Sequence, residues 1–197
     1  WGPVRDVLTR RDLFVNWADF PSVVALSDGR LVAHWLQKNG TGTYSYEVRM
    51  AESRDDGATW TASATPHRPG IQAEHGFASL LPDSAGGARV FFLDGGANKI
   101  AAPAAAGHSH DEGHAIPMSV SVNSWSPGMT EATKTVIDAR VCDCCQTASA
   151  MTARGPVVVF RDRSDAEIRD IAISRLVDGA WTTPTPVHAD NWQINAC

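Results

Sequence analysis

The chain has 197 residues, of which 43% are hydrophobic and 20% are charged, and its formal net charge is −5. These values are typical of a globular domain with a sizeable core, and they argue against a nucleic-acid partner, because phosphate binding requires a concentrated basic surface. No apolar run approaches the roughly 20 residues that cross a bilayer, so we expect no membrane span.

The first part of the chain has the pattern of a four-stranded antiparallel meander. Apolar residues recur there at period two between turn residues, which predicts strands rather than helices. Gly29 is suited to the positive φ of a tight turn after the first strand. In the third strand we expect Tyr46, Val48 and Met50 on one face and Glu52 on the other. The predicted strands are residues 20–26, 31–36, 44–52 and a fourth that follows Trp60.

The same order of strands and turns repeats along the rest of the chain. Repeats of four short strands are typical of the blades of a β-propeller, so the predicted fold class is all-β. The predicted blades are residues 20–65, 76–138 and 146–189, and a fourth begins at 192–197. Three blades and one strand cannot close a ring, and an open ring would expose a sheet edge. We therefore expect the rest of a longer protein, or a second chain, to complete the propeller.

The hairpin at residues 53–60 carries a motif whose spacing has a local physical reason. The Ser53 and Asp55 side chains can bond backbone N–H groups of the same turn, Gly57 is suited to the left-handed region, and Trp60 can fold back between strands. This Asp box, with the stretch 20–60 around it, resembles the first blade of the sialidase-type propellers, also called BNR-repeat proteins. The resemblance implies a six-bladed ring when complete, and it marks the fold rather than a catalytic site.

The resemblance implies an exo-sialidase-type glycoside hydrolase as one possible activity. Such enzymes bind the substrate carboxylate with three arginines, and they use an aspartate acid/base and a tyrosine nucleophile assisted by a glutamate. The first arginine usually stands in an Arg-Ile-Pro motif, where this chain has Asp19 followed by Phe20 and Pro21. An aspartate would repel the carboxylate, and Tyr44 and Tyr46 lie in an outer strand. We therefore expect a non-hydrolytic propeller, and no catalytic residue is assigned.

Cysteines and a histidine stand near the predicted starts of inner strands. In a propeller the inner strands begin around one end of the central channel, the channel mouth, so residues just before them converge there. Thiolates with an imidazole suit copper or zinc. The alternatives are disulfides between or within blades, and reduced or redox-active thiols. The residues concerned are Asp19 as a ligand-binding candidate, and His75, Cys142, Cys144, Cys145 and Cys197 as candidate metal ligands.

Each of two further segments is interpreted either as a binding site or as a solvent-exposed loop without a function of its own. The insertion at 101–117 contains His108, His110 and His114, and short histidine-rich tracts bind Zn²⁺, Cu²⁺ or Ni²⁺. The alternative is a solvated loop with incidental histidines. The mixed-charge run at 161–170 is either a solvated loop face or a platform for a polar ligand. Its candidate ligand-binding residues are Arg161, Arg163 and Arg169.

The even number of cysteines suits an oxidising compartment, so a secreted or periplasmic location is expected. The expected partners are a metal ion, a small ligand or a glycan. Three functions remain open from the sequence: a non-hydrolytic propeller that binds metal or a small ligand at the channel mouth, an exo-sialidase, and an interaction scaffold whose cysteines only staple the blades.

Overall fold

The computed structural model describes residues 2–83, 86–97, 117–126, 129 and 133–193. The β-strands assigned within these ranges form three antiparallel sheets in chain order. Each sheet is one blade of a β-propeller, so the predicted all-β propeller fold class is confirmed. No helix in the described ranges is long and apolar enough to cross a membrane.

Blade one contains β1 (Ser22–Ala25), β2 (Leu31–Lys38) and β3 (Tyr46–Ser53), paired in that order. The outer position, where a full fourth strand is predicted, holds only a bridge in which Met50 and Ala64 exchange backbone hydrogen bonds of 2.9 and 3.0 Å. The N-terminal arm runs beside the end of β2, since Phe14 N–H donates to the Leu36 carbonyl at 3.0 Å.

Blade two has four strands, and blade three has a broken outer strand. Blade two comprises β4 (His75–Pro82), β5 (Ala88–Asp94), β6 (Ser119–Ser124) and β7 (Thr135–Asp138). Blade three comprises β8 (Ala148–Thr152), β9 (Gly155–Arg161) and β10 (Ile171–Val177), followed by β11 (Ala180–Trp181) and β12 (Thr185–Pro186). Both short strands pair with β10, in the region where one continuous outer strand is predicted.

The core lies between blades because both faces of a central blade are covered. Successive residues of β5 point to opposite faces: Val90 and Phe92 pack into a cluster with blade one, and Phe91 and Leu93 pack into a cluster with blade three. Trp181 of blade three meets Phe91 edge-on, with ring centroids 5.3 Å apart. Burying each large apolar side chain contributes about 1.5–3 kcal/mol, so these two clusters hold the blades together.

The prediction that Glu52 lies on the face of β3 opposite Met50 is wrong. Glu52 is only 1% exposed, and it shares the core-facing side of β3 with Met50 as period two requires. Its carboxylate accepts hydrogen bonds from Arg30 Nη1 at 2.7 Å and from Trp125 Nε1 at 3.4 Å. The buried charge is tolerated because these donors replace water, and the contact with Trp125 ties blade one to blade two.

The Asp-box hairpin follows β3 and is held by its own side chains. Gly57 N–H donates to Ser53 Oγ at 2.9 Å, and Thr59 N–H donates to Asp55 Oδ1 at 2.8 Å. Gly57 has φ +80° and Asp56 has φ +53°, so the turn passes through the left-handed region in which a Cβ is unfavourable.

Candidate functional site

The residues just before β1 and β8 both contact the start of β4, so the three blades meet at the channel mouth. Asp19 precedes β1 and packs against Gly76 so closely that a Cβ at Gly76 would lie 2.0 Å from Asp19 Oδ2. Thr147 precedes β8, and its hydroxyl donates to the Phe77 carbonyl at 2.7 Å. The expected convergence of Asp19 with the segment before β8 therefore has a structural basis in β4.

Three cysteine sulfurs form a compact cluster at this end of the molecule. The Cys142 Sγ lies 3.4 Å from Cys145 Sγ and 4.0 Å from Cys144 Sγ, and all three lie within 4.8 Å of one another. These separations exceed the roughly 2.05 Å of a disulfide bond, and the structure records all three side chains as thiols. Among the described residues, this is the group with the spacing of metal ligands, and a metal ion fits it.

The backbone positions the cysteine cluster between blades two and three. Cys142 N–H donates to the carbonyl of Arg161 at the end of β9, at 3.0 Å, and Val141 N–H donates to the Met118 carbonyl at 3.0 Å. Cys142 is 1% exposed, whereas Cys144 and Cys145 are only partly buried. The cluster therefore has a buried base and a more accessible side.

Two of the predicted ligand-binding arginines lie against the cluster. Arg169 Nη1 donates to Cys142 Sγ at 3.4 Å, and Arg163 Nη1 lies 3.3 Å from the carboxylate of Asp143. Glu167 accepts hydrogen bonds from both arginines, at 2.8 Å from Arg169 and 3.0 Å from Arg163. This network places the Arg169 guanidinium beside the Cys142 sulfur, while Glu167 and Asp143 offset the positive charge of the two arginines.

The hydrogen bond with Cys142 raises the pKa of the Cys145 thiol, and burial acts in the same direction, whereas the Cys144 contact and the charge of Arg161 oppose this. The third predicted arginine, Arg161, donates to the Arg169 carbonyl at 2.7 Å, and its guanidinium stacks on Trp192 at 4.4 Å. It therefore supports the cluster from the side of β9.

A tyrosine hydroxyl between two carboxyl groups forms a second polar cluster at the channel mouth. Tyr46 Oη lies 2.8 Å from Glu74 Oε1 and 3.2 Å from Asp19 Oδ2. Burial raises the pKa of Glu74 to about 7 and that of Asp19 to about 6, and burial with both carboxylates raises the pKa of Tyr46. One hydroxyl proton cannot serve two hydrogen bonds, so a second proton, on Asp19 or Glu74, completes the chain of three oxygens.

The backbone at the start of β4 is strained where it meets this cluster. Phe77 has φ +49°, and the register of β4 against β5 shifts between Gly76 and Ser79. The Phe77 N–H is hydrogen-bonded to the carboxylate of Asp19. The bulge and the absent Cβ of Gly76 thus allow the Asp19 side chain to enter the space between the blades.

His75 occupies a separate buried network. Its ring stacks on His67 with centroids 3.8 Å apart, and its Nε2 lies 3.3 Å from Asp94 Oδ1. Asp94 also binds Lys134 Nζ at 2.5 Å, and burial lowers the pKa of His67 to about 3. The metal-ligand group of the described residues comprises the three cysteines and does not include His75.

Four predicted ligands lie outside the described residues: His108, His110, His114 and Cys197. The sequence reasoning also missed two residues at the channel mouth. Glu74 immediately precedes the start of β4, so the rule applied to His75 also selects it. Tyr46 begins β3 beside Glu74, as their parallel bridge shows, and a count of strand directions would have brought it to the same end.

No family model matches the chain, and no curated protein matches it. Among solved structures, the chain is similar to a protein of unknown function from Dyadobacter fermentans, with a TM-score of 0.52 and 13% identity over 84% of this chain and 50% of that one. It is similar to a Hadza microbial sialidase, with a TM-score of 0.55 and 13% identity over 83% of this chain and 36% of that one. An ulvan lyase of a new polysaccharide lyase family gives a TM-score of 0.53 and 13% identity over 88% of this chain and 44% of that one.

The chain spans half the length of these proteins or less. At 13% identity the likeness concerns the fold alone, which is of the propeller type found in carbohydrate-active enzymes.

Proposed function

We propose that the chain is part of a non-hydrolytic, sialidase-like propeller that binds copper or zinc at its channel mouth through Cys142, Cys144 and Cys145. The observation that carries the proposal is the approach of three sulfurs to within 4.8 Å. With a Zn–S bond of about 2.3 Å, tetrahedral geometry places neighbouring sulfurs about 3.8 Å apart, and the Cys142 sulfur lies 3.4 and 4.0 Å from the other two. Thiolates are soft ligands, so the donor set favours zinc or Cu(I) over Mg²⁺ or Ca²⁺.

Zinc needs a fourth ligand, whereas Cu(I) accepts a lower coordination number. Cys197 is our candidate for the fourth ligand. Because His75 is engaged with Asp94 and His67, it is not part of the proposed ligand set. The histidines His108, His110 and His114 are retained as candidates for a second, independent metal site. We also propose a secreted or periplasmic location, where bound metal would protect the thiolates from oxidation.

Metal analysis of the purified protein tests this proposal. We expect about one equivalent of copper or zinc, and we expect the Cys142→Ser and Cys145→Ser variants to lose most of it because each removes one thiolate. Replacing His108, His110 and His114 together by Ala is the matched control, and it should leave the metal bound by the cysteines in place. Full metal content in both cysteine variants would contradict the proposed site.

An exo-sialidase is the alternative from the enzyme class, and one observation favours it: Tyr46 contacts Glu74 at 2.8 Å, and a tyrosine nucleophile is assisted by an adjacent base. Tyr46 is 0% exposed, however, and Asp19 stands where the family has an arginine. We therefore expect no turnover of a fluorogenic sialoside. Turnover that the Tyr46→Phe variant abolishes would replace our proposal with the enzyme.

The third function, a disulfide-stapled scaffold, is tested by counting thiols. Denatured, unreduced and metal-depleted protein should react with a thiol reagent at Cys142, Cys144 and Cys145. Protection of one of these three, by a disulfide with Cys197, or of two, by a disulfide with each other, would favour the scaffold, because sulfurs in a disulfide do not react.

A further inference from the structure

The N-terminal arm, residues 2–17, lies on the surface of blade one. None of its side chains is buried, and Val15 and Trp17 are 87% and 96% exposed. The half-buried residues of the arm are Leu8, Asp12, Leu13, Phe14 and Asn16. The arm therefore adds little apolar burial to the fold, whereas the blades share two buried hydrophobic clusters.

Hydrogen bonds join the arm to the end of β2, beyond the residues that β1 pairs. Phe14 N–H donates to the Leu36 carbonyl at 3.0 Å, and Lys38 N–H donates to the Asp12 carbonyl at 2.8 Å. Gln37 Nε2 also donates to Asp12 Oδ2 at 3.1 Å. Water can take the place of each partner when the arm moves away. A segment with few buried contacts and hydrogen bonds at a sheet edge opens locally more readily than a core strand.

The arm covers a buried tyrosine. The ring of Phe14 stacks on that of Tyr46, with centroids 3.8 Å apart and planes inclined by 7°. Tyr46 is 0% exposed, and its hydroxyl contacts Glu74 and Asp19 in the polar cluster of the channel mouth. The Tyr46 ring also lies against the start of β4, where a Cβ at Gly76 would be 2.8 Å from Tyr46 Cε2. Blade two is packed on both faces, so Phe14 is the more easily displaced part of this enclosure.

The chain is anchored immediately after the arm. Ala18 packs against the cluster between blades two and three, and the Asp19 carboxylate accepts a hydrogen bond from Phe77 N–H. Asn16 Oδ1 accepts a hydrogen bond from Ala18 N–H at 3.0 Å, so this side chain closes a local turn. Residues 16 and 17 are thus placed to act as a hinge, and the arm can move without moving Asp19.

Open space beside the arm allows this movement. A groove of about 640 Å³ is lined by Leu13, Phe14 and Val15 of the arm and by Lys38 and residues 40–43 of blade one. Two of the residues in the range 40–43 are glycines, which leave that wall without side chains at two positions. The Phe14 ring can therefore leave Tyr46 without displacing a strand of blade one.

We propose that residues 12–16 are a lid over the channel mouth: Phe14 lifts from Tyr46 while the blades stay folded, and a ligand reaches the Tyr46 hydroxyl and the Glu74 carboxyl group only when the lid is open. The closed lid accounts for the burial of Tyr46 beneath a segment that has no buried side chain of its own. An arm that only stabilised the fold would instead open together with the blades.

Native-state hydrogen exchange, followed by ¹H–¹⁵N NMR, tests the opening of the lid. We expect the Phe14 and Lys38 amides to exchange about 100-fold faster than the most protected amides of β5. Low urea concentrations should leave the two rates nearly unchanged, because a local opening exposes little surface. Phe14→Ala should accelerate exchange at Lys38 about tenfold, without an equal acceleration in β5. Val15→Ala is the matched control, since Val15 is the next residue and is 87% exposed.

Access to Tyr46 is measured separately with N-acetylimidazole, which acetylates accessible phenol hydroxyls. The chain has two tyrosines, so the Tyr44→Phe variant leaves Tyr46 as the only phenol. We expect slow acetylation of Tyr46 in that variant, and acetylation about tenfold faster when Phe14→Ala is added. Adding Val15→Ala instead should leave the acetylation rate unchanged.

Exchange of the Phe14 and Lys38 amides at the rate of β5, with the same dependence on urea, would mean that the arm opens only when the protein unfolds, and it would overturn the proposal. Equal acetylation of Tyr46 with and without Phe14→Ala would overturn it as well, because the arm would then not control access. Cys145→Ser should show wild-type exchange in the arm, so the outcome is separate from that of the metal analysis.

Discussion

At the scale of single residues, the ionisation of the two polar clusters at the channel mouth depends on how protons and positive charges are distributed among buried side chains. Asp19, Tyr46 and Glu74 share two protons along three oxygens, whereas the sulfur of Cys142 faces the guanidinium of Arg169 at 3.4 Å. Burial disfavours negative charge in the first cluster, so its stability contribution depends on pH. In the second cluster the hydrogen bond with Cys142 and burial raise the pKa of the Cys145 thiol, so the neighbouring guanidinium does not by itself decide the charge of the sulfurs.

Comparison of the wild type with the Asp19→Asn variant should reveal how the ionisation of Asp19 changes the free energy of unfolding. Burial raises the pKa of Asp19 from 3.8 to about 6, so the folded state retains this proton at pH values where the unfolded chain has lost it. The contribution of Asp19 to stability is thus fully present below about pH 4 and is lost as the pH rises to about 6. We expect the free energy of unfolding of the wild type, relative to the variant, to fall on the order of 1–3 kcal/mol across this interval.

Urea denaturation of both proteins at closely spaced pH values measures this difference. Asp28→Asn is a suitable control, because hydrogen bonds from Arg30 lower the pKa of that exposed carboxyl group and any effect has the opposite sign. A difference between wild type and Asp19→Asn that stays constant from pH 4 to pH 8 would contradict the assigned ionisation.

At the scale of elements, turns are stabilised locally and strands are stabilised by neighbouring blades. The Asp-box turn after β3 satisfies its own backbone through Ser53 and Asp55, without help from another blade. β5 has little local stabilisation of this kind, and its register is held by β4 and β6 and by the burial of both its faces. Local motifs can therefore be recognised in the sequence more reliably than the exact ends of strands.

The Asp55→Ala substitution tests the local role of the Asp box. Asp55 accepts hydrogen bonds from Thr59 N–H at 2.8 Å and from the Thr59 hydroxyl at 2.7 Å. We expect a lower free energy of unfolding, as for the loss of a capping side chain. A double-mutant cycle with Thr59→Ala should show non-additive effects, and strictly additive effects would argue against the hydroxyl contact.

At the scale of the whole molecule, blade two is the shared wall of both hydrophobic clusters. Phe92 belongs to the cluster with blade one and Phe91 to the cluster with blade three, although they are neighbours in the chain. Both are 0% exposed. The same alternation that defines a strand thus connects three blades into one structure.

Replacing these two phenylalanines one at a time should separate the two interfaces. Phe92→Ala and Phe91→Ala should each cost about 3–5 kcal/mol, because each leaves a cavity in a packed core. Hydrogen exchange should accelerate mainly in β2 and β3 for Phe92→Ala, and mainly in β9 and β10 for Phe91→Ala. Identical exchange patterns for the two variants would mean that the clusters do not act as separate interfaces.

The sequence by itself determined the features that depend on neighbours along the chain. Alternation of apolar residues predicted the strands, glycines at turns predicted the hairpins, and the Asp-box spacing predicted a self-bonded turn at residues 53–60. The position of the cysteines before the third inner strand also followed from the repeat. Each of these requires only a local periodicity or a short side-chain reach.

Only the tertiary structure decided which distant groups meet. It paired Tyr46 with Glu74 and Asp19, joined His75 to Asp94, and directed Arg169 to Cys142. Glu52 shows the reason at one position: period two places its side chain on the core face, but only the packing of blade two supplies the Trp125 partner that makes burial tolerable. Contacts of this kind depend on the register and stacking of blades, which no local pattern encodes.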